Sequence, residues 1–492
     1  MKYFKEGLEY INEEILHIEG KIPEKVLGIS LDSREIREGE IFFALPGQKE
    51  DGKKYIPSAI EKGSKVIFYQ GDYHGPFYED ILYIKVRDIH KVLGIFSSWF
   101  NDFPSKKLTI IGVTGTKGKT TTTHLLYHMW RTKGEKAGLI GTIYNKINDE
   151  EIPTSFTTPR PPELQSLLKK MVDNGVKYVA MEVSSHALAL GRIEGLLLEG
   201  AVFINLSQDH LDFHKSMENY FEAKKKIFNY LKSDGFCVLN KDDYWVSKVN
   251  ICDKKIFWFS FDKVADIYPI SWENKKEGLK ALLNTPKGIL DLSLKLRGKF
   301  NLVNIMSAVA VAIALDEDLD LIKKAFESFS HVPGRLEFIE EGQDFSVIID
   351  YAHTPDSLLN LLKTVSEFTE GKKILVFGCG GDRDPYKRPK MGEIAALYSD
   401  FVIITSDNPR TEDPMKIIKD IEEGIKTLNF KNYMIIENRD EAIKTAIYLA
   451  EPKDCVIIAG KGHENYQIIG SNKIPFNDKE IAKIYIREKV AK

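Results

Sequence analysis

Ile110-Ile111-Gly112-Val113-Thr114-Gly115-Thr116-Lys117-Gly118-Lys119-Thr120-Thr121-Thr122 runs from an apolar segment through a glycine turn into a threonine-rich one. Upstream, Lys107 to Val113 carries Leu108, Ile110, Ile111 and Val113, apolar and mostly β-branched, which predicts a strand. Downstream, Leu125, Leu126, Met129 and Trp130 fall on one face of a helix expected over Thr121 to Thr132. Gly115 and Gly118 let the backbone turn sharply and expose its N–H groups, and the helix N-terminus adds partial positive charge. Strand, glycine loop and helix start, in that order, form a phosphate cradle. Lys119 is placed to reach the β- and γ-phosphates of a nucleotide, and Thr120 to set a hydroxyl on Mg²⁺. Gly115, Thr116, Lys117, Gly118 and Thr121 complete the expected nucleotide loop. The spacing departs from G-x-x-x-x-G-K-T, because Val113 stands at the first glycine position. The competing reading is a plain tight turn, which has no need of Lys-Thr at a helix start.

The chain of 492 residues exceeds what one hydrophobic core supports, so about three domains are expected. Composition is globular, 43% hydrophobic and 29% charged, and a net charge of −3 argues against nucleic acid as the main partner. No apolar run reaches the ~18 residues of a membrane span. The opening MKYFKEGLEYINEEI lacks the apolar core of a secretory leader, so a cytoplasmic protein is expected. Cys237, Cys252, Cys379 and Cys455 form no C-x-x-C pair and read as reduced thiols.

Residues 1–105 mix short strands and helices. Val26 to Arg34 reads as a strand entering a polar turn, and Gly39 to Gly47 as a strand ending in Pro-Gly. Asp32, Ser33 and Arg34 read first as a capped turn. In residues 106–334, strands are expected at Gly138 to Thr142, Val176 to Val183 and Ala201 to Leu206, with a helix at Tyr220 to Phe228. Glu182, ending a strand beside the glycine loop, can hold Mg²⁺. His124 and His128 lie one helical turn apart but have no evident third ligand, and packing is the better account of them. In residues 335–492 the same pattern recurs: strands at Ser346 to Asp350, Lys373 to Phe377, Phe401 to Thr405 and Asp454 to Ala459, each running into a polar loop. Such apolar runs suit buried parallel strands of a doubly wound, Rossmann-like sheet, whose loops line a crevice at one edge.

Taken together these stretches resemble the Mur ligases, most closely the MurE type. The resemblance rests on Leu31-Asp32-Ser33-Arg34, the Thr114 to Thr120 loop, Thr157-Thr158-Pro159, Glu182-Val183-Ser184-Ser185-His186 and Asn205-Leu206-x-x-Asp209-His210-Leu211-Asp212. It rests further on Gly334-Arg335-x-Glu337, Asp350 to Pro355, Gly378 to Arg388, Asp407-Asn408-Pro409-Arg410 and Gly460-Lys461-Gly462-His463-Glu464. It implies an α/β enzyme of three domains: a smaller N-terminal one (1–105) for UDP, a central P-loop ATPase-like one (106–334), and a C-terminal one (335–492) for the amino acid. The implied reaction joins meso-diaminopimelate to the D-Glu of UDP-N-acetylmuramoyl-L-Ala-D-Glu through an acyl phosphate, in peptidoglycan precursor synthesis.

The resemblance also implies roles. Leu31, Ser33 and Gln48 would contact the UDP end, and Thr157, Thr158, Ser184 and Arg192 the muramoyl dipeptide. Gln48 falls where some relatives carry His. Thr120, Glu182, His210 and a Lys224 carbamylated by CO₂ would hold Mg²⁺, with Lys119, His210 and Lys224 as catalytic groups. Asn301, Asn304, Arg335, Asp350 and His353 would hold ATP. Arg383, Asp407, Asn408, Pro409, Arg410, Gly460 and Glu464 would bind diaminopimelate, with Arg410 offering a planar fork to its second carboxylate. A lysine-adding ligase, a folylpolyglutamate synthase and a nucleotide-binding protein without chemistry are the competing readings. Arg410 has its own alternative, pairing with Glu412 or Asp413. A monomer is expected.

Overall fold

Buried apolar runs make the centre of the larger sheets. In the computed structural model, which describes residues 1–47, 50–251, 253–275 and 277–491, the strand Thr109–Thr114 is buried from Ile110 onward. It occupies an inner place in an eight-stranded sheet. The strands, in spatial order, are Glu150–Ile152, Asn145–Ile147, Ala137–Ile140, Tyr178–Glu182, Thr109–Thr114, Leu198–Phe203, Leu231–Asn240 and Lys255–Phe259. The last six run parallel, and the first two join antiparallel at the edge. Register sets Glu182 opposite Val113, so the carboxylate ends its strand level with the start of the glycine loop. The helix after the loop is Lys119–Thr132, two residues earlier than its apolar pattern indicated. Gly118 caps it at φ +88°, a left-handed conformation that favours glycine. The expected helix over 220–228 is the α-helix Met217–Lys225 followed by a 3₁₀ turn, Lys226–Tyr230.

The N-terminal residues form a five-stranded sheet, ordered Ile15–Glu19, Leu82–Val86, Val66–Gln70, Glu40–Ala44 and Gly28–Ser30, antiparallel only at the first pair. The helix Ile89–Phe100 packs Phe96 and Trp99 into its core.

The C-terminal sheet is ordered Glu337–Phe338, Ser346–Asp350, Cys455–Ala459, Lys373–Phe377, Phe401–Ile404 and Tyr433–Ile435, parallel except at the first strand. Helices Pro355–Ser366, Lys387–Tyr398 and Pro414–Thr427 bury their apolar faces on one side of it. Helices Arg439–Leu449 and Asp478–Val490 cover the other. This is the doubly wound sheet expected from the recurring strand-loop pattern. Tyr268–Lys275, Gly278–Thr285 and Gly288–Leu294 add a three-stranded sheet, and Tyr466–Ile469 pairs with Asn472–Pro475 as a hairpin.

By contacts the chain forms two compact units. One comprises Met1–Tyr268, Asn284–Gly288 and Val303–Ala325, and the other Pro269–Leu283, Ile289–Leu302 and Phe326–Lys492. The first holds the five- and eight-stranded sheets and the second the six-stranded one.

Candidate active site

In the first unit the glycine loop is held in shape by a second loop. Asn205, just past the strand Leu198–Phe203, accepts from the Lys117 amide at 2.9 Å and donates from Nδ2 to the Lys117 carbonyl at 3.2 Å. Its own carbonyl accepts from the Thr116 amide. Thr116 Oγ1 donates to the Ser207 carbonyl, accepts from the Ser207 amide and meets the Tyr220 hydroxyl at 3.2 Å. A side chain at Gly118 would collide with the Asn304 amide oxygen, which therefore lies against the loop.

Two lysine amines converge on one carbonyl oxygen. Lys119 Nζ donates to the Gly115 carbonyl at 2.8 Å and to the Thr116 carbonyl at 3.1 Å. Lys224, buried and reaching in from the helix Met217–Lys225, donates to the same Gly115 carbonyl at 2.8 Å. Burial, and then the Lys119 charge, push the Lys224 amine well below the ordinary lysine range. His210 sits at φ +53°, a strained conformation for a non-glycine residue. It is held below the usual imidazole range by burial, and Lys119 and Lys224 act on it in the same direction.

Glu182 is fully buried. Its Oε2 accepts from Thr120 Oγ1 at 3.0 Å and from Thr142 Oγ1 at 3.1 Å, and its Oε1 from the Thr142 amide at 2.9 Å. A carboxylate ringed by hydroxyls is the hard oxygen set that Mg²⁺ takes with water. Among the described residues no three His, Cys, Asp or Glu side chains converge as a ready-made cage. His124 bonds Thr120 O at 2.7 Å through Nδ1, in line with its reading as a packing residue.

Thr157 Oγ1 meets Thr142 Oγ1 at 3.1 Å. Thr158 donates to the Glu182 carbonyl at 2.9 Å and accepts from the Ser184 amide at 3.1 Å, which ties Thr158 and Ser184 to the strand end that carries Glu182. Ser184 caps the helix Ser185–Ala189. Arg192 donates to the Thr158 carbonyl at 3.3 Å and lies 4.8 Å over the Phe156 ring, which Arg160 also approaches, at 5.3 Å. In the five-stranded sheet, Asp32 accepts from the Arg34 amide and side chain. That guanidinium holds its carboxyl at about 2, as befits the capped turn expected there. Ser33 is buried and Leu31 half-buried beside it. Gln48 lies outside the described residues.

In the second unit, Asp350 ends its strand accepting from the Leu336 amide at 2.7 Å and the Ala352 amide at 2.8 Å, so this carboxylate shapes two loops. Burial raises its pKa against the pull of Arg335. Arg335 lies 4.7 Å over the Tyr351 ring, with its buried Nε making no hydrogen bond. His353 is exposed and bonds the Tyr351 carbonyl. Asn301 donates to the Arg297 carbonyl.

The loops at the carboxyl ends of the C-terminal strands meet. Arg410, at φ +53°, donates to the Gly381 carbonyl at 2.6 Å, and its backbone is bonded to the 468–470 hairpin. The Glu412 alternative is closed, because Glu412 is bound to the buried Arg388 at 2.8 Å. Asp413 instead caps the helix Pro414–Thr427. Arg383 is exposed beside Gly380, which Arg410 also flanks. Pro409 turns its carbonyl against Gly381. Gly460 has φ +114°, and a Cβ there would stand 2.6 Å from Asp407 Oδ2. Asn408 Nδ2 donates to Glu464 Oε2 at 2.9 Å.

Sequence reasoning gave no role to Asn205, Thr142, Tyr220, Phe156 or Lys461. Asn205 and Lys461 stand inside motifs named above, though nothing local marks Lys461 as buried. Thr142 and Tyr220 act through partners distant in the chain, and Phe156 meets Arg192 as well as the nearby Arg160.

Comparison with known proteins bears on this geometry. Residues 113–312 match the Mur ligase middle domain, residues 334–462 the Mur ligase glutamate ligase domain, and residues 25–100 the Mur ligase family catalytic domain. A UDP-N-acetylmuramoyl-L-alanyl-D-glutamate–2,6-diaminopimelate ligase of Clostridium tetani is 42% identical over 98% of this chain and 99% of its own. One of the same name from Caldanaerobacter subterraneus is 43% identical over 96% of this chain and 97% of its own. A solved structure of a ligase so named aligns with a TM-score of 0.70 at 32% identity, covering 98% and 99% of the two chains.

Proposed function

The chain belongs to the Mur ligase family, and from that premise we propose that it joins meso-diaminopimelate to the D-glutamate of UDP-N-acetylmuramoyl-L-alanyl-D-glutamate, driven by ATP, in peptidoglycan precursor synthesis. The γ-carboxylate of D-glutamate attacks the γ-phosphorus, the bond to the β–γ bridging oxygen breaks, and ADP leaves an acyl phosphate. The amine of the amino acid then attacks the acyl carbon and phosphate departs.

The barrier is electrostatic. A carboxylate and a phosphate oxygen 4 Å apart repel by about 4 kcal/mol at an effective dielectric near 20. The observation that carries the proposal is the convergence of Lys119 and Lys224 on the Gly115 carbonyl, one step from the Thr120–Glu182 pair. Phosphate oxygens would draw Lys119 off the carbonyls and accept the loop amides. Thr120 and Glu182, with His210 and a carbamylated Lys224, would hold Mg²⁺, which supplies charge neutralisation at the phosphates. Lys224 suits a carbamate, since its buried amine is held toward the neutral form, and an anion there would attract Lys119 where the ammonium repels it.

Asn301, Asn304, Arg335, Asp350 and His353 are proposed for ATP. Leu31, Ser33 and Gln48 are proposed for UDP, and Thr157, Thr158, Ser184 and Arg192 for the dipeptide. Arg383, Asp407 to Arg410, Gly460 and Glu464 are proposed for diaminopimelate. The corresponding division of labour is 1–105, 106–334 and 335–492. We infer a cytoplasmic monomer; the described thiols, Cys237, Cys379 and Cys455, are free and buried.

Phosphate release should require ATP, the UDP-dipeptide and amino acid together. Of meso-diaminopimelate and L-lysine, the first should win in kcat/KM by at least about tenfold, and Arg410→Ala should erase most of that margin. Equal or better use of L-lysine by the wild-type chain would overturn the amino acid and leave the ligase.

A further inference from the structure

Lys461 is a fully buried cation among the amino-acid loops, and none of the roles above uses it. Its Nζ donates to Asn408 Oδ1 at 3.1 Å and to Glu464 Oε2 at 3.1 Å. Asn408 Nδ2 donates to the same Glu464 oxygen, and the Ile468 amide donates to Asn408 Oδ1 at 2.9 Å. The Tyr466 ring lies 5.5 Å from the ammonium. A lysine taken wholly out of water persists only where it is paired and hydrogen-bonded, so this ammonium is fixed in place. Glu464 is the residue among those proposed for diaminopimelate whose charge suits the ligand's far ammonium, and it is already balanced from inside the protein.

We infer that Lys461 is a specificity-determining residue of the amino-acid site. It makes Glu464 a poor partner for a lone ammonium and a good one for an ammonium that arrives with its own carboxylate. This rests on the reading of these loops as the diamino acid site. L-Lysine ends in a bare cation, and at Glu464 it meets an internal cation held on the same carboxylate. Arg410 stands close enough that it and Glu464 both act on the Tyr466 phenol. The far end of meso-diaminopimelate carries both charges. Its carboxylate answers the cations and its ammonium takes Glu464, where both internal donors occupy Oε2. Rejection of the competitor thus comes from a repulsive element built into the site, with attraction alone insufficient.

The test uses the full-length enzyme with ATP and the UDP-dipeptide, measuring kcat/KM for both amino acids. Lys461→Met keeps the stem and removes the charge. The ratio of diaminopimelate to lysine use should fall about tenfold, through a lower KM for L-lysine, with KM for ATP unmoved. Adding Glu464→Gln to that variant should abolish the gained lysine use. A parallel fall for both amino acids, with the ratio within about twofold of wild type, would mean a structural role and overturn the inference. Should Lys461→Met melt below the assay temperature, Glu464→Gln alone decides. It leaves Lys461 unbalanced and should raise discrimination against L-lysine at least about fivefold; an unchanged or smaller ratio overturns the inference. A wild-type enzyme without preference removes the site reading and this inference together. A wild-type preference with an unmoved ratio in Lys461→Met removes this inference alone.

Discussion

Two lysine amines share the carbonyl of Gly115, and the fold puts both there. Lys119 was legible from its place after a glycine loop. Lys224 came from the family resemblance alone, because three lysines stand in a row and only the fold shows that the first is buried while Lys225 and Lys226 are half-buried and exposed. Lys461 was hidden for the same reason, since burial of a cation depends on a partner such as Asn408 that lies far away in the chain. Lys224→Ala should lower kcat by about a hundredfold or more, the scale of a lost electrostatic group in the transition state, and formate should restore part of it. Steady-state rates of the variant with and without formate check this. A variant within a few-fold of wild type would show that no carbamate is needed.

Elements were readable where they are apolar throughout. Ser346–Asp350 and Lys373–Phe377 have the bounds expected, because a buried parallel strand is a continuous apolar run. The sheet Tyr268–Lys275, Gly278–Thr285 and Gly288–Leu294 gave no such signal. Its last strand alternates exposed and buried residues, a weaker pattern that merges with ordinary surface sequence. Nor does sequence reveal that the first residues of two C-terminal helices are joined. Arg439 Nε and Nη2 donate to both oxygens of Asp478, at 2.8 and 2.7 Å, with both side chains fully buried. Arg439 Nη2 also donates to the carbonyl of Ala459, immediately before Gly460. Asp478→Ala strands a buried guanidinium and should cost on the order of 3–5 kcal/mol. Urea unfolding followed by circular dichroism measures it; a loss under about 1 kcal/mol would mean that water or a neighbour rescues the arginine.

At the scale of the whole molecule, burial raises weak acids in both compact units. Cys237, Cys379 and Cys455 are pushed up to about 12, and so are the Tyr83 and Tyr144 phenols. These groups are neutral when protonated, and the folded state binds their protons more tightly than the unfolded chain. Their contribution is intact below the unfolded values, about 8.5 for a thiol and about 10 for a phenol, and is lost as pH climbs toward 12. Melting temperature should therefore fall steadily from about pH 9 upward. A melting temperature at pH 10.5 equal to that at pH 7.5 would contradict this.

The first unit is not continuous in the chain: Val303–Ala325 belongs to it although residues of the second unit come before. Ser307 bonds Thr122 of the nucleotide-loop helix at 3.0 Å, Glu317 pairs with Lys133 at 2.9 Å, and Asn304 lies against Gly118. Synthesis runs from the other end, so a ribosome that has released everything through Tyr268 has still not delivered these partners. The nucleotide loop must wait, exposed to proteases, until Ala325 has cleared the exit tunnel. A gene truncated at 268 should yield a protease-sensitive product and one truncated at 325 a more resistant one, which limited digestion of the two fragments would distinguish.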